Sequence, residues 1–129
     1  MIVLDTHAWL WLASAPAKLG PAASRAIREA PELAVSSISA WEVGMLLRRG
    51  RIELDRPLGT WVRQALALPR LRELPVTAEV GLAAAELDAE GFPGDPADRL
   101  IYATARLRSA QLASRDGALL AADPARVVW

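Results

Sequence analysis

The chain has 129 residues, of which 53% are hydrophobic, and it balances 15 basic against 15 acidic side chains. These values predict one folded domain over residues 1–129 with a sizeable core, and they lack the basic excess of a general nucleic-acid coat protein. With no cysteine and one histidine, the chain cannot form disulfides, thiolate zinc sites or multi-histidine sites, so a bound metal would take mainly oxygen ligands.

Short apolar runs alternate with helical patterns along the chain. In chain order the predicted elements are a strand at Ile2–Leu4, helices at Ala8–Ala13 and Pro21–Ala30, a strand at Leu33–Val35, helices at Ser39–Arg49 and Pro57–Leu68, a strand at Leu71–Val76, helices at Ala78–Ala89 and Pro96–Ser109, a strand at Gln111–Ser114, a short helix after Asp116 and an edge strand at Val127–Trp129. This alternation predicts an α/β sandwich with a mostly parallel sheet.

The N-terminal apolar run is a poor signal peptide, because it has no basic leader and is interrupted by Asp5 and His7. No stretch approaches the roughly 20 apolar residues that a membrane-spanning helix needs. We therefore expect a cytoplasmic protein with no membrane partner.

Acidic residues follow two of the predicted strands. Asp5 ends the first apolar run, and Asp116 comes shortly after Gln111–Ser114. Sites in open α/β sheets form outside the carboxyl ends of the strands, so we expect both side chains at one crevice. Each also suits the simpler position of a helix N-cap, and that alternative stays open.

Two further acids fall in the first turn of predicted helices. Glu42 follows Ser39 by three residues, so the pair also fits a capping box. Near Asp98, we expect Asp95 to cap the helix that begins at Pro96. Asp98 would then face a metal, with Arg99 directed elsewhere. A lesser role for Asp98, complementing the helix dipole, stays open.

A cluster of carboxylates would result if the fold gathers these acids. Two carboxylates about 4 Å apart repel by roughly 4 kcal/mol at an effective dielectric near 20. Oxygen-only ligand sets suit Mg²⁺ or Mn²⁺. The pattern therefore indicates a metal-dependent phosphodiester enzyme. Its candidate residues are Asp5, Glu42, Asp98 and Asp116.

Other side chains have two interpretations each. His7 suits a general base, although beside several acids we expect it to have a structural or supporting role. The basic run of Arg48, Arg49 and Arg51 suits phosphate contacts with RNA, or merely a solvated helix end. The five tryptophans could stack bases, but such residues more often fill cores and partner interfaces.

Four blocks of the sequence carry a family resemblance that covers nearly the whole chain. The blocks are Leu4–Trp11, Ser36–Val43, Asp95–Ile101 with Ala103–Ala105, and Leu112–Asp116. Each block is weak to moderate alone, but in this order and at this length they are specific. Together they resemble the PIN-domain family, and within it the VapC-like toxins of bacterial toxin–antitoxin pairs.

The resemblance implies a PIN-like sandwich with a five-stranded parallel sheet and an Mg²⁺- or Mn²⁺-dependent ribonuclease. By motif match, Asp5 and Asp98 would bind the metal directly, while Glu42 and Asp116 would hold a second ion or a water. Ser114, and also Thr6, would support these ligands. The implied partners are an RNA substrate, a VapB-like antitoxin whose tail covers the site, and a second copy of the chain.

Two positions depart from the family pattern. Gly44 lies inside a predicted helix, which costs about 1 kcal/mol relative to Ala unless a close contact needs it. Phe92-Pro93-Gly94 leads into the Asp95 block where relatives often carry a histidine, so a substrate contact could differ there.

Other functions stay open on the residues alone. A phosphatase of the haloalkanoate-dehalogenase type also places Asp after its first strand, but it would need a second Asp where His7 stands. A receiver domain would need a late lysine, whereas Lys18 is the single lysine. A non-catalytic interaction module could keep the fold without activity, although the presence of all four acids argues against it.

Overall fold

The computed structural model describes residues 1–129 and contains five strands, seven α-helices and one 3₁₀ turn. In chain order these are β1 (Ile2–Leu4), α1 (Thr6–Ser14), the 3₁₀ turn (Pro16–Lys18), α2 (Pro21–Glu29), β2 (Leu33–Ser36), α3 (Ile38–Arg48), α4 (Leu58–Leu66), β3 (Leu71–Leu74), α5 (Ala78–Ala89), α6 (Pro96–Leu107), β4 (Gln111–Ala113), α7 (Gly117–Ala122) and β5 (Val127–Val128).

All five strands form one sheet in the order β3-β2-β1-β4-β5, and every neighbouring pair is parallel. The expected five-stranded α/β sandwich is therefore confirmed, with a fully parallel sheet. In the register, Leu4 of β1 lies beside Val35 of β2 and Ala113 of β4. The carboxyl ends of these three strands thus meet at one edge, where the loops after them converge.

Helices cover both faces of the sheet, which explains why the strands read as unbroken apolar runs. Val3 and Leu112 face a core shared with α5 and α6. Ile2 and Leu4 face the opposite core, where Trp9 of α1 is fully buried. The indole N–H of Trp9 donates to the carbonyl of Ala65 at 3.2 Å, so its burial leaves no polar atom unpaired.

Several helix and strand ends differ from the sequence predictions by one or two residues, as is usual for frayed ends. The difference that matters most for the site is at α3. This helix begins at Ile38, with Ser37 as its N-cap, and not at Ser39 as predicted. The 3₁₀ turn was not predicted.

Within α3, a Cβ on Gly44 would lie 3.3 Å from Leu58, so the glycine lets α4 pack closely. None of the helices combines the length and apolar content needed to cross a membrane.

Candidate active site

The predicted acids converge at the carboxyl edge of the sheet. Asp5 follows β1, Glu42 projects from the second turn of α3, and Asp98 lies in the first turn of α6. All three line one cleft of about 410 Å³, together with Asp95. Asp116, after β4, is not among the residues that line this cleft.

Asp5 and Asp116 are held by helix N-termini and by one shared serine. The Asp5 carboxylate accepts from the Ala8 amide at 2.8 Å, which makes it the N-cap of α1. Asp116 accepts in the same way from Ala118 at 2.8 Å and caps α7. The Ser114 hydroxyl is fully buried, accepts from the Asp116 amide at 3.1 Å and is hydrogen-bonded to Asp5. The N-cap interpretations are therefore correct, and Ser114 links the two acids.

Glu42 is positioned by α1, not by its own helix end. The Thr6 hydroxyl donates to the Glu42 carboxylate. Ser39 Oγ lies 3.0 Å from Thr6 Oγ1. Because the single Thr6 proton is given to Glu42, Ser39 donates in that contact. The alternative of a Ser39–Glu42 capping box is wrong, since Ser39 is buried inside α3 and bonds to Thr6.

Asp95 and Asp98 form a reciprocal capping box at the start of α6. The Asp95 carboxylate accepts from the Asp98 amide at 2.9 Å, and the Asp98 carboxylate accepts from the Asp95 amide at 3.2 Å. The expected N-cap role of Asp95 is confirmed. The second half of the box, made by Asp98, was not predicted. Arg99 points away, as expected, and pairs with Asp88 at 3.0 Å.

Gly94 allows this loop to approach Asp98 closely. It has a φ of +104°, which favours glycine. A Cβ at this position would lie 2.8 Å from the Cβ of Asp98, a distance that forces one of the two to move. The glycine of the Phe92-Pro93-Gly94 departure is thus part of how Asp98 is placed.

Three of the acids have pKa values above those of free carboxylic acids. Burial is the largest cause in each case. It raises the pKa of Asp5. Burial, and to a smaller degree repulsion from Asp98, Asp95 and Asp5, raises the pKa of Glu42 to about 6. Burial followed by repulsion from Asp95, Asp116 and Asp5 raises the pKa of Asp98 to about 6.

No basic side chain forms an ion pair with the acids of the site. The four ion pairs of the structure all lie elsewhere, and none includes Asp5, Glu42, Asp98 or Asp116. The N-termini of α1, α6 and α7 supply only partial positive charge. A half-buried group of carboxylates, three of them with raised pKa values and none in an ion pair, suits a hard divalent metal, so the residues present fit Mg²⁺ or Mn²⁺.

One subset of these acids is close enough to share a single ion. Carboxylate oxygens of Glu42, Asp95 and Asp98 lie within 4.8 Å of one another. Asp95 belongs to this subset although sequence reasoning gave it only a capping role. The signal was present, because Asp95 precedes Asp98 by three residues and therefore lies on the same helix face.

The other predicted residues are divided between the cleft and the surface. His7 and Arg49 line the cleft. Arg48 and Arg51 are exposed and lie outside it. The apolar part of the wall comes from α3, and its members are Trp41, Met45 and Leu46. Sequence reasoning considered Trp41 only as one of five tryptophans that could stack bases, and it missed Met45 and Leu46.

Comparisons with known proteins agree with this geometry. Residues 2–123 match the family described as the PIN domain. Ribonuclease VapC22 of Mycobacterium tuberculosis (strain ATCC 25618 / H37Rv) is 41% identical over 115 residues, which cover 89% of this chain and 86% of that protein.

Solved structures share the fold. A toxin–antitoxin complex from Klebsiella pneumoniae superposes with a TM-score of 0.68 at 21% identity, covering 100% of this chain and 97% of that chain. Mycobacterium tuberculosis VapC20, a Sarcin-Ricin loop cleaving toxin, gives a TM-score of 0.67 at 23% identity and 95% coverage of both chains. The resemblance expected from the four sequence blocks is confirmed, and the chain belongs to the PIN-domain family.

Proposed function

We propose that this protein is a divalent-metal-dependent ribonuclease that acts as the toxin of a toxin–antitoxin pair. The observation that carries the proposal is the cluster of half-buried carboxylates, none of them in an ion pair, at the carboxyl edge of a PIN-type sheet. The similarity to Ribonuclease VapC22 over most of both chains supports RNA as the substrate.

The acids would divide into ligands and water-orienting groups. Asp5 and Asp98 would bind the metal, with Glu42 and Asp95 close enough to Asp98 to complete the set. A divalent ion held there would polarise the scissile phosphodiester and lower the pKa of a water molecule. Glu42 or Asp116 would orient the attacking water towards phosphorus, or hold a second ion.

Hydroxyl groups keep these carboxylates in place. Thr6 donates to Glu42, so it favours the ionised form of that side chain and fixes its direction. Ser114 does the same for Asp5 and also holds the loop at Asp116. Water attack with departure of the ribose 3′ oxygen would leave a 5′-phosphate and a 3′-hydroxyl.

A VapB-like antitoxin would be the protein partner, and the similarity to a solved toxin–antitoxin complex supports this choice. We also propose a homodimer and a cytoplasmic location, in keeping with such a pair. Either Mg²⁺ or Mn²⁺ suits the ligands, because both are hard cations that prefer carboxylate oxygens. Family membership disfavours a phosphatase of another acidic-site family.

The experiment that tests the toxin function is controlled expression in a bacterial host. The parent protein should arrest growth. Asp5→Asn should relieve the arrest at equal protein level, because it removes one ligand charge yet keeps the oxygen that accepts from Ala8. The matched control is Glu86→Gln, which removes one charge from an exposed position on α5 and should remain toxic.

Equal toxicity of Asp5→Asn and the parent would contradict a nuclease toxin. A non-catalytic interaction module, acting by binding alone, would then take its place.

A further inference from the structure

One large aromatic side chain stands in water beside the acidic cluster. Trp41 is 56% exposed, whereas Trp9 and Trp61 are 0% and 3% exposed. Burying an aromatic side chain of this size gains several kcal/mol, so a tryptophan left largely in solvent is informative about what covers it. Trp41 also precedes Glu42 directly, and both line the same cleft.

Trp41 begins a stripe of cleft-lining side chains along α3. Met45 and Arg49 follow at spacings of four residues, so the three lie on one helix face. The rise from Trp41 to Arg49 is about 12 Å along the helix axis. The stripe therefore presents an aromatic face next to the carboxylates, an apolar side chain beyond it, and an exposed guanidinium at its far end.

This order of groups matches a nucleic-acid strand. Base stacking on an aromatic side chain contributes about 1–3 kcal/mol and tolerates any base, because every base has a π-face. Arginine binds phosphate oxygens well. Trp41 lines the same cleft as Glu42 and Asp98, so a strand whose phosphate lies at these acids can place an adjoining nucleotide against Trp41.

We propose that Trp41 stacks on a nucleobase adjoining the scissile phosphate, while Arg49 binds a phosphate farther along the same strand. The inference rests on the proposed ribonuclease function and assigns a substrate contact within it. It makes Trp41 a positioning side chain for RNA that contributes to binding more than to the chemical step.

Kinetics on a short RNA will test the stack. The substrate is a single-stranded oligonucleotide that contains a cleavage site mapped in bulk bacterial RNA treated with the parent protein. Trp41→Ala should raise KM by roughly tenfold, equivalent to about 1.4 kcal/mol, and change kcat much less. Trp41→Phe should recover most of the loss. Leu82→Ala is the matched control, because Leu82 is 69% exposed on α5 outside the cleft.

An abasic substrate separates stacking from general loss of apolar surface. Removing the base on one side of the cut should raise the KM of the parent roughly tenfold. The KM of Trp41→Ala should be the same for the abasic and the intact RNA. Unchanged KM for Trp41→Ala, or additive losses with the abasic RNA, would overturn the inference and favour a protein partner at Trp41.

A binding measurement keeps this result apart from failure of the ribonuclease function. RNA should quench the tryptophan fluorescence of the Asp98→Asn variant. The double variant Asp98→Asn with Trp41→Phe should lack this quenching. If the parent cuts no RNA, a mixed-sequence RNA pool serves as the probe. Quenching by that pool would support stacking of RNA on Trp41 even though the ribonuclease function had failed. Absence of quenching would overturn the inference.

Discussion

Replacing Asp98 by asparagine should make the metal-free protein more stable at neutral pH. Burial, followed by repulsion from Asp95, raises the pKa of Asp98 from 3.8 to about 6. At 1.36 kcal/mol per unit, keeping this group ionised at pH 7 would cost the folded state roughly 3 kcal/mol without solvent screening, and less here because water reaches this half-buried side chain. Asparagine keeps an oxygen that can accept from the Asp95 amide but is itself partly desolvated. We therefore expect a gain of about 1–2 kcal/mol.

The sign of the effect determines its pH dependence. The pKa of Asp98 in the folded state lies above its ordinary value, so the folded parent binds more protons than the unfolded chain between about pH 4 and pH 6. Its stability falls as pH rises through that window. Asp98→Asn lacks this contribution, so its advantage should be largest at pH 7 and be lost or reversed near pH 4.

Urea unfolding in chelator, followed by tryptophan fluorescence that changes as the buried Trp9 and Trp61 become exposed, measures the effect directly. The slope of free energy against urea should stay unchanged, so that a higher midpoint reports stability alone. Glu86→Gln, exposed on α5, should leave the midpoint unchanged. The reasoning is refuted if Asp98→Asn is no more stable than the parent at pH 7, or if its advantage persists at pH 4.

Two further substitutions test how the acids are held. Thr6→Val removes the donor to Glu42, so the pKa of Glu42 should rise beyond about 6 and the pH profile of RNA cleavage should move to higher pH, while Thr6→Ser should retain the parent profile. Gly94→Ala should cost about 1–3 kcal/mol and weaken Mn²⁺ binding, because its Cβ would meet Asp98 at a strained φ of +104°. Gly81→Ala, whose Cβ would have nothing within 4 Å, should instead stabilise α5 by about 0.5–1 kcal/mol.

The fold was largely predictable because apolar periodicity and helix-start signals agree along the chain. Burial of Ile2–Leu4 on both faces follows from an apolar run without alternation, and Asp5 marks its end. Pro21 and Thr77 begin helices where their backbone preferences place them. Such signals are local, so sequence alone identifies them well.

Long-range side-chain contacts were not predictable in the same way. The capping-box interpretation of Ser39 and Glu42 used a correct local rule. Thr6 overturned it by reaching Glu42 from a different helix, 36 residues away in sequence. The approach of Glu42 to Asp95 and Asp98 likewise depends on how α6 meets α3. Spacing within one segment carries no information about that junction.

The most direct test of the central claim is RNA cleavage by the purified protein across a Mn²⁺ titration, with thermal melting recorded on the same samples. The claim is that the acidic cleft, with Asp5 and Asp98 as direct ligands, holds a divalent ion needed for cleavage. Cleavage should be absent in chelator and should appear over the Mn²⁺ concentrations at which the melting temperature begins to rise. Saturation near 100 times the dissociation constant should add roughly 2.7 kcal/mol of stability. Full cleavage in chelator, or a melting temperature that ignores Mn²⁺, would contradict the claim.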